Sequence, residues 1–187
     1  MEMPFLFRAR QFSQSLSDVF ASSYKFIFAV AVLAGPGPVL AESQVLSFST
    51  DTTHYYPSES LEVVVDYEAS DRGLATGIGM RVHFDSSQIL IDSISDVVRQ
   101  GKIGVQVRPD FEDYDDDPLT DQYITAAWAS VDGGWPGSVA QPAPLLRILA
   151  TTTDEFSGTQ MNITIASTDV NYVSSGVSLS LTSTAGE

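Results

Sequence analysis

Gly77-Ile-Gly-Met-Arg-Val-His-Phe-Asp-Ser-Ser-Gln88 is the stretch whose reading decides the fold. Ile78, Met80, Val82 and Phe84 alternate with Gly79, Arg81 and His83, the period of two expected of a strand with one buried face. Asp85-Ser86-Ser87 then supplies short polar side chains that bond to nearby backbone and turn the chain, and Ile89-Leu-Ile-Asp-Ser-Ile94 begins another apolar run. Gly77 and Gly79 inside a strand pattern imply a bulge or a close backbone approach. His83 alternates to the outward face and reads as a surface histidine.

The same period extends on both sides. Leu61, Val63, Val65 and Tyr67 alternate with Glu62, Val64, Asp66 and Glu68. Later runs set Ile103, Val105 and Val107, then Met161, Ile163 and Ile165, then Val177, Leu179 and Leu181, against polar neighbours. Residues 44–49, 122–131 and 145–151 add three candidates. Turn formers separate these runs at Tyr56-Pro57-Ser58, Asp71-Arg72-Gly73, Asp132-Gly133-Gly134, Phe156-Ser157-Gly158 and Ser174-Ser175-Gly176. No stretch keeps a helical period for three turns. About nine short strands without intervening helices predict an all-β domain, an antiparallel β-sandwich of jelly-roll topology.

The 187 residues carry 9 basic and 24 acidic side chains, a formal charge of −15. Nucleic acid and anionic membrane surfaces are argued against, because both are held by clustered lysine and arginine. Absence of cysteine removes disulfides and thiolate metal sites. With only His54 and His83, zinc chemistry and a serine-histidine hydrolase are poorly provided for.

Residues 1–41 read as an export signal. Arg8, Arg10 and Lys25 form a basic region, Phe26–Leu33 an apolar one, and Val39-Leu40-Ala41 a small-residue cleavage site. Gly35-Pro36-Gly37-Pro38 ends the apolar run far short of the roughly 20 residues of a spanning helix, which argues against an anchor. Cleavage after Ala41 removes three basic and two acidic side chains, so the expected mature chain, 42–187, carries six basic and 22 acidic groups. The expected localisation is extracellular or at the cell surface, with the domain over 42–182 and residues 183–187 as a linker or cut end.

Asp110-Phe-Glu-Asp-Tyr-Asp-Asp-Asp-Pro-Leu-Thr-Asp121 puts seven carboxylates into twelve positions. Such density in one loop calls for a compensating cation, and calcium takes six to eight oxygens from a loop able to wrap it. Asp113, Asp115 and Asp117, at i, i+2 and i+4, are the expected ligands, with Asp110, Glu112 or Asp121 completing the shell. It is not an EF-hand: with Asp113 first, Pro118 occupies the glycine position and Ile124 that of the bidentate glutamate. A solvated acidic loop is the plainer alternative. Acid pairs also raise glycoside hydrolysis, but many pairs here meet its spacing and none is singled out.

Tyr55, Tyr56 and Trp135 are the expected ligand-binding rings, as a platform for stacking on sugars. Trp135 sits in the loop Asp132-Gly-Gly-Trp-Pro-Gly137, which can present a ring to solvent or fold it back as a lid, whereas Trp128 reads as core. Asn162-Ile163-Thr164 is a glycosylation sequon placed within a strand.

Leu61–Tyr67 followed by Gly77–Ile94, in which Phe84-Asp85-Ser86-Ser87 makes the aromatic-aspartate-small turn, resembles the start of cohesin modules. Tyr123–Ala129, Leu145–Ala150 and Met161–Ile165 are similar to their later strands, so the resemblance runs over roughly residues 45–182. Carbohydrate-binding modules of bacterial cellulases share this sandwich. The resemblance implies a nine-stranded jelly roll without a catalytic centre, recognising a dockerin-like protein partner or a polysaccharide. The acidic run 110–121 departs from that pattern.

Overall fold

The computed structural model describes residues 41–184. Residues 1–40 of the expected leader and the last three residues of the expected linker lie outside the described residues.

Eleven strands follow one another: β1 Glu42–Ser49, β2 His54–Tyr55, β3 Ser60–Ala69, β4 Gly77–Phe84, β5 Ile89–Asp96, β6 Lys102–Pro109, β7 Gln122–Ala129, β8 Ala143–Thr152, β9 Gly158–Thr168, β10 Tyr172–Gly176 and β11 Ser178–Ser183. The first sheet has the order β10-β1-β3-β8-β5 and the second β2-β11-β9-β4-β7-β6. Nine of these strands are the nine expected. The two that sequence patterning missed, β2 and β10, are short, and each makes a parallel pair, β10 with β1 and β2 with β11. All other pairs are antiparallel, so the sheets are mixed only through these two additions. The expected end at residue 182 falls one residue short: β11 runs to Ser183, and Thr184 N–H donates to the Tyr55 carbonyl at 3.0 Å.

The two inner faces meet in one core. Leu61, Val63, Val65 and Tyr67 of β3 and Leu146 and Ile148 of β8 come from the first sheet. Ile78, Met80, Val82 and Phe84 of β4, with Ile124, Ala126 and Trp128 of β7, come from the second. Apolar surface buried at about 25 cal/mol per Å² is the main favourable term for a sandwich of this kind. Leu145 and Leu146 are both fully buried although adjacent, because the pairing of β3 with β8 shifts register between Val65 and Asp66 and spares Leu145 from the alternation.

Of the outcomes expected of the strand glycines, the close approach is the one that occurs in β4 itself. The register shift opposite Gly79 and Met80 has its extra residue, Ala166, on β9. At Gly77, φ is +134°, and a Cβ would stand 2.1 Å from the Trp128 carbonyl oxygen, so the backbones of β4 and β7 approach as only glycine permits.

Candidate functional site

The acidic segment after β6 folds back over the outer face of the second sheet. Asp110 N–H donates to the Asp121 carbonyl at 2.8 Å and closes the loop at its neck. Asp113 and Asp116 take left-handed φ values of 51° and 56°, a conformation aspartate tolerates better than most residues. Tyr114 meets Tyr123 of β7 edge to face at 5.9 Å, and the Arg81 guanidinium lies 4.0 Å from the Tyr114 ring centre. These contacts hold the loop on β4 and β7 through a cation-π pair and an aromatic pair.

Under the loop lies a buried polar cluster. His83 is fully buried, which corrects its reading as a surface residue. Its strand alternation was read properly and it does point outward, but the loop covers it. His83 Nδ1 is 2.6 Å from Asp110 Oδ2 and 3.6 Å from Asp115 Oδ1, and His83 Nε2 is 2.7 Å from Thr164 Oγ1. The Asp110 and Asp115 side chains are 0% and 2% exposed. Asp115 accepts from Thr120 Oγ1 at 3.0 Å and from Asn162 Nδ2 at 2.7 Å. Asn162 is thereby engaged within the loop-covered face, at 8% exposure.

The six acids expected to surround calcium are thus divided. Asp113, Asp115 and Asp117 do not converge on one point. Asp115 turns inward to His83, Asp113 and Glu112 stay exposed, and Asp117 accepts the Leu119 N–H at 3.1 Å while its other oxygen lies 3.4 Å from the Asn162 Nδ2 that Asp115 also accepts. Asp121 is taken by the turn after β4, where Ser86 N–H and Ser86 Oγ donate to it at 2.7 and 2.6 Å. Among the described residues, the group of three whose ligand atoms lie within 4.8 Å of one another is His83, Asp110 and Asp115. Spacing along the chain pointed to the loop but missed its histidine, which reaches it from β4.

Asp110, His83 and Thr164 stand in the carboxylate, imidazole, hydroxyl order of a hydrolase triad. The hydroxyl is carried by β9, in register with Arg81 of β4, and is overlaid by the loop. Its backbone neighbours serve the sheet ladder, where a hydrolase would need amides aimed at an oxyanion.

The expected aromatic platform is corrected in two of its three rings. Trp135 is 0% exposed, packed on Tyr67 at 4.6 Å and near Trp128 at 6.2 Å. Tyr55 is 4% exposed, its hydroxyl donating to the Thr52 carbonyl at 2.9 Å. Tyr56 alone is open, at 62%. The rings that do gather at the surface are Phe111, Tyr114 and Tyr123, which with Gln106, Arg108 and Pro109 line an open pocket of about 440 Å³ beside β6.

No family model matches the sequence, and no curated protein matches it. Solved structures do. The chain superposes on CaCohA2 of Clostridium acetobutylicum, solved in complex with CaDoc0917, with a TM-score of 0.51 at 15% identity, over 76% of this chain and 100% of that one. The fold is that of a cohesin module. The seventh ScaB type I cohesin from Pseudobacteroides cellulosolvens matches at TM-score 0.51 and 6% identity, over 78% of this chain and 94% of its own. The sixth scaffoldin B cohesin of Acetivibrio cellulolyticus, solved with a Cel5 dockerin, matches at 0.50 and 13%, over 75% and 98%. The chain spans 94–100% of the length of these neighbours.

Proposed function

We propose that the chain is a non-catalytic module that recognises another protein, of the dockerin type, in adhesion or in an extracellular assembly. The observation that carries this reading is the cohesin fold, found over nearly the whole of cohesins that were solved with their dockerins. Sugar stacking finds less support, since Trp135 and Tyr55 are buried and Tyr56 stands apart from the surface ring cluster.

The contact surface is the β6 side of the second sheet. Phe111 is 89% exposed, with Arg108, Tyr114 and Tyr123 beside it, and Ile103, 71% exposed, stands at the other end of the same strand. Exposed aromatic side chains together with arginine are the residue types that carry most binding energy at protein interfaces. Titration against a panel of dockerins by calorimetry tests this, with insoluble polysaccharide as the contrasting ligand. A dockerin bound at micromolar affinity or better is expected, weakened at least about tenfold, or 1.4 kcal/mol, by Phe111→Ala or Arg108→Ala with melting temperature unchanged. Retention on polysaccharide with no dockerin bound transfers the function to carbohydrate recognition.

Export belongs to this proposal. The first strand starts at Glu42, the residue after the expected cleavage point, which supports removal of 1–41. Mass spectrometry of exported protein is expected to give an N-terminus near Glu42; a cell-bound form keeping Phe26–Leu33 would make the segment an anchor. Calcium enters as a counter-ion of Glu112, Asp113 and Asp116, which face solvent more than the inward pair does.

A further inference from the structure

We propose that His83, Asp110 and Asp115 bind one divalent transition-metal ion, zinc by preference, which staples the acidic loop onto the outer face of the second sheet. Carboxylates ligate zinc as histidine and cysteine do, so a chain with two histidines and no cysteine can still hold it.

Charge is the first reason. Two carboxylates with side chains 0% and 2% exposed face one imidazole, and among the described residues neither pairs with lysine or arginine. A protonated His83 would still leave one negative charge in excess, in a place where water screens it poorly. Asp115 is served by Thr120 and Asn162, whereas Asp110 has the imidazole and a 3.4 Å contact from Tyr114 N–H. Asp110 is therefore the less satisfied of the two, and it is the one nearest Nδ1.

Ligand type is the second reason. Imidazole with carboxylates suits zinc and its first-row neighbours, while calcium prefers an all-oxygen shell. In the metal-free geometry His83 Nδ1 shares a proton with Asp110 at 2.6 Å; an ion that takes the place of that proton leaves Nε2, 2.7 Å from Thr164 Oγ1, as the nitrogen that donates to the hydroxyl. An oxygen partner on the far nitrogen is the usual way a ligating histidine is oriented. Asn162 and Thr120 orient Asp115 in the same manner.

Geometry is the third. An ion with ligands at about 2.0–2.2 Å in a tetrahedral array sets them roughly 3.3 Å apart. The His83 to Asp115 separation of 3.6 Å is already close to this. Asp110, at 2.6 Å, has to withdraw by about 0.7 Å to reach that spacing.

The test is metal uptake by the untagged protein after dialysis against chelator, read without any binding partner, so that its outcome is separate from that of dockerin recognition. Calorimetry with zinc chloride is expected to show one equivalent per chain. Zinc at about a hundredfold excess over Kd is expected to raise the melting temperature by roughly 5–10 °C over chelator. Cobalt(II) added to the metal-free protein is expected to give the visible bands of a low-coordinate nitrogen-oxygen site. Asp115→Asn and His83→Gln are expected to lose the uptake, and Asp113→Asn to retain it. Should His83→Gln fail to fold, Asp110→Asn serves in its place. Coincident zinc and chelator melts without binding heat overturn the proposal. So does stabilisation by calcium but not zinc, which would assign the ion to the loop's exposed carboxylates.

Discussion

Trp135→Ala is expected to destabilise the sandwich by about 3–5 kcal/mol, the cost of removing a fully buried tryptophan from a packed core. The ring is 0% exposed, stands edge to face on Tyr67 at 4.6 Å and lies 6.2 Å from Trp128. Its backbone is tied as well, with Ala75 N–H donating to the Trp135 carbonyl at 2.7 Å and Trp135 N–H to the Ala75 carbonyl at 3.1 Å. The substitution removes the ring and keeps those two bonds, so the loss comes from packing alone. Trp135→Phe is expected to lose much less, because the indole N–H has no hydrogen-bond partner and its removal relieves a buried unpaired donor. Urea unfolding followed by circular dichroism checks both, with the midpoint falling and the slope unchanged. A Trp135→Ala protein that unfolds at the wild-type midpoint would return the ring to the surface and reopen the sugar-platform reading.

Asp169→Ala is expected to cost about 2–4 kcal/mol near neutral pH, since it leaves several donors without their charged acceptor. Asp169 is 3% exposed. One carboxylate oxygen accepts Thr76 N–H at 2.7 Å and Thr76 Oγ1 at 2.9 Å, and the other accepts Asn171 N–H and Nδ2, each at 2.9 Å. It joins the segment entering β4 to the turn between β9 and β10, which lie far apart in sequence. The backbone N–H groups of Asn171 and Thr76 hold its carboxyl below the usual aspartate range, against the opposing effect of burial. A carboxyl whose folded pKa is depressed stabilises the fold above its unfolded value, about 3.9, and loses that contribution as pH falls through the folded value. The stability gap between wild type and Asp169→Ala is therefore expected to be full at pH 6 and to narrow below about pH 4. A gap that stays constant from pH 6 to pH 2 would show that ionisation of Asp169 contributes nothing.

How much of the site was legible follows from what spacing along a chain reports. The loop 110–121 announced itself by charge, and Asp110 and Asp115 were among the acids singled out. Asp113 and Asp117 were chosen because alternate positions converge in an extended segment. This loop is not extended: Asp113 and Asp116 take left-handed φ values, and Asp113 stays exposed while Asp115 and Asp117 reach Asn162. His83 was placed on the correct face of its strand, yet alternation along β4 holds no information about a loop that arrives from between β6 and β7 to cover it. Trp135 was ambiguous for a similar reason, since a loop of glycines fits a ring presented outward as well as one folded inward, and the bridge to Ala75 settles it.

Nine strands, their turns and the close approach at Gly77 follow from the sequence by itself, because alternation and turn chemistry act between residues a few positions apart, and the net charge alone argues against polyanionic partners. The two parallel additions, β2 and β10, the burial of Trp135 and Tyr55, and the meeting of His83 with Asp110 and Asp115 were decided only by tertiary structure. Each depends on segments distant in the chain, such as His83 and Thr164, 81 residues apart, whose encounter is set by sheet order rather than by local pattern.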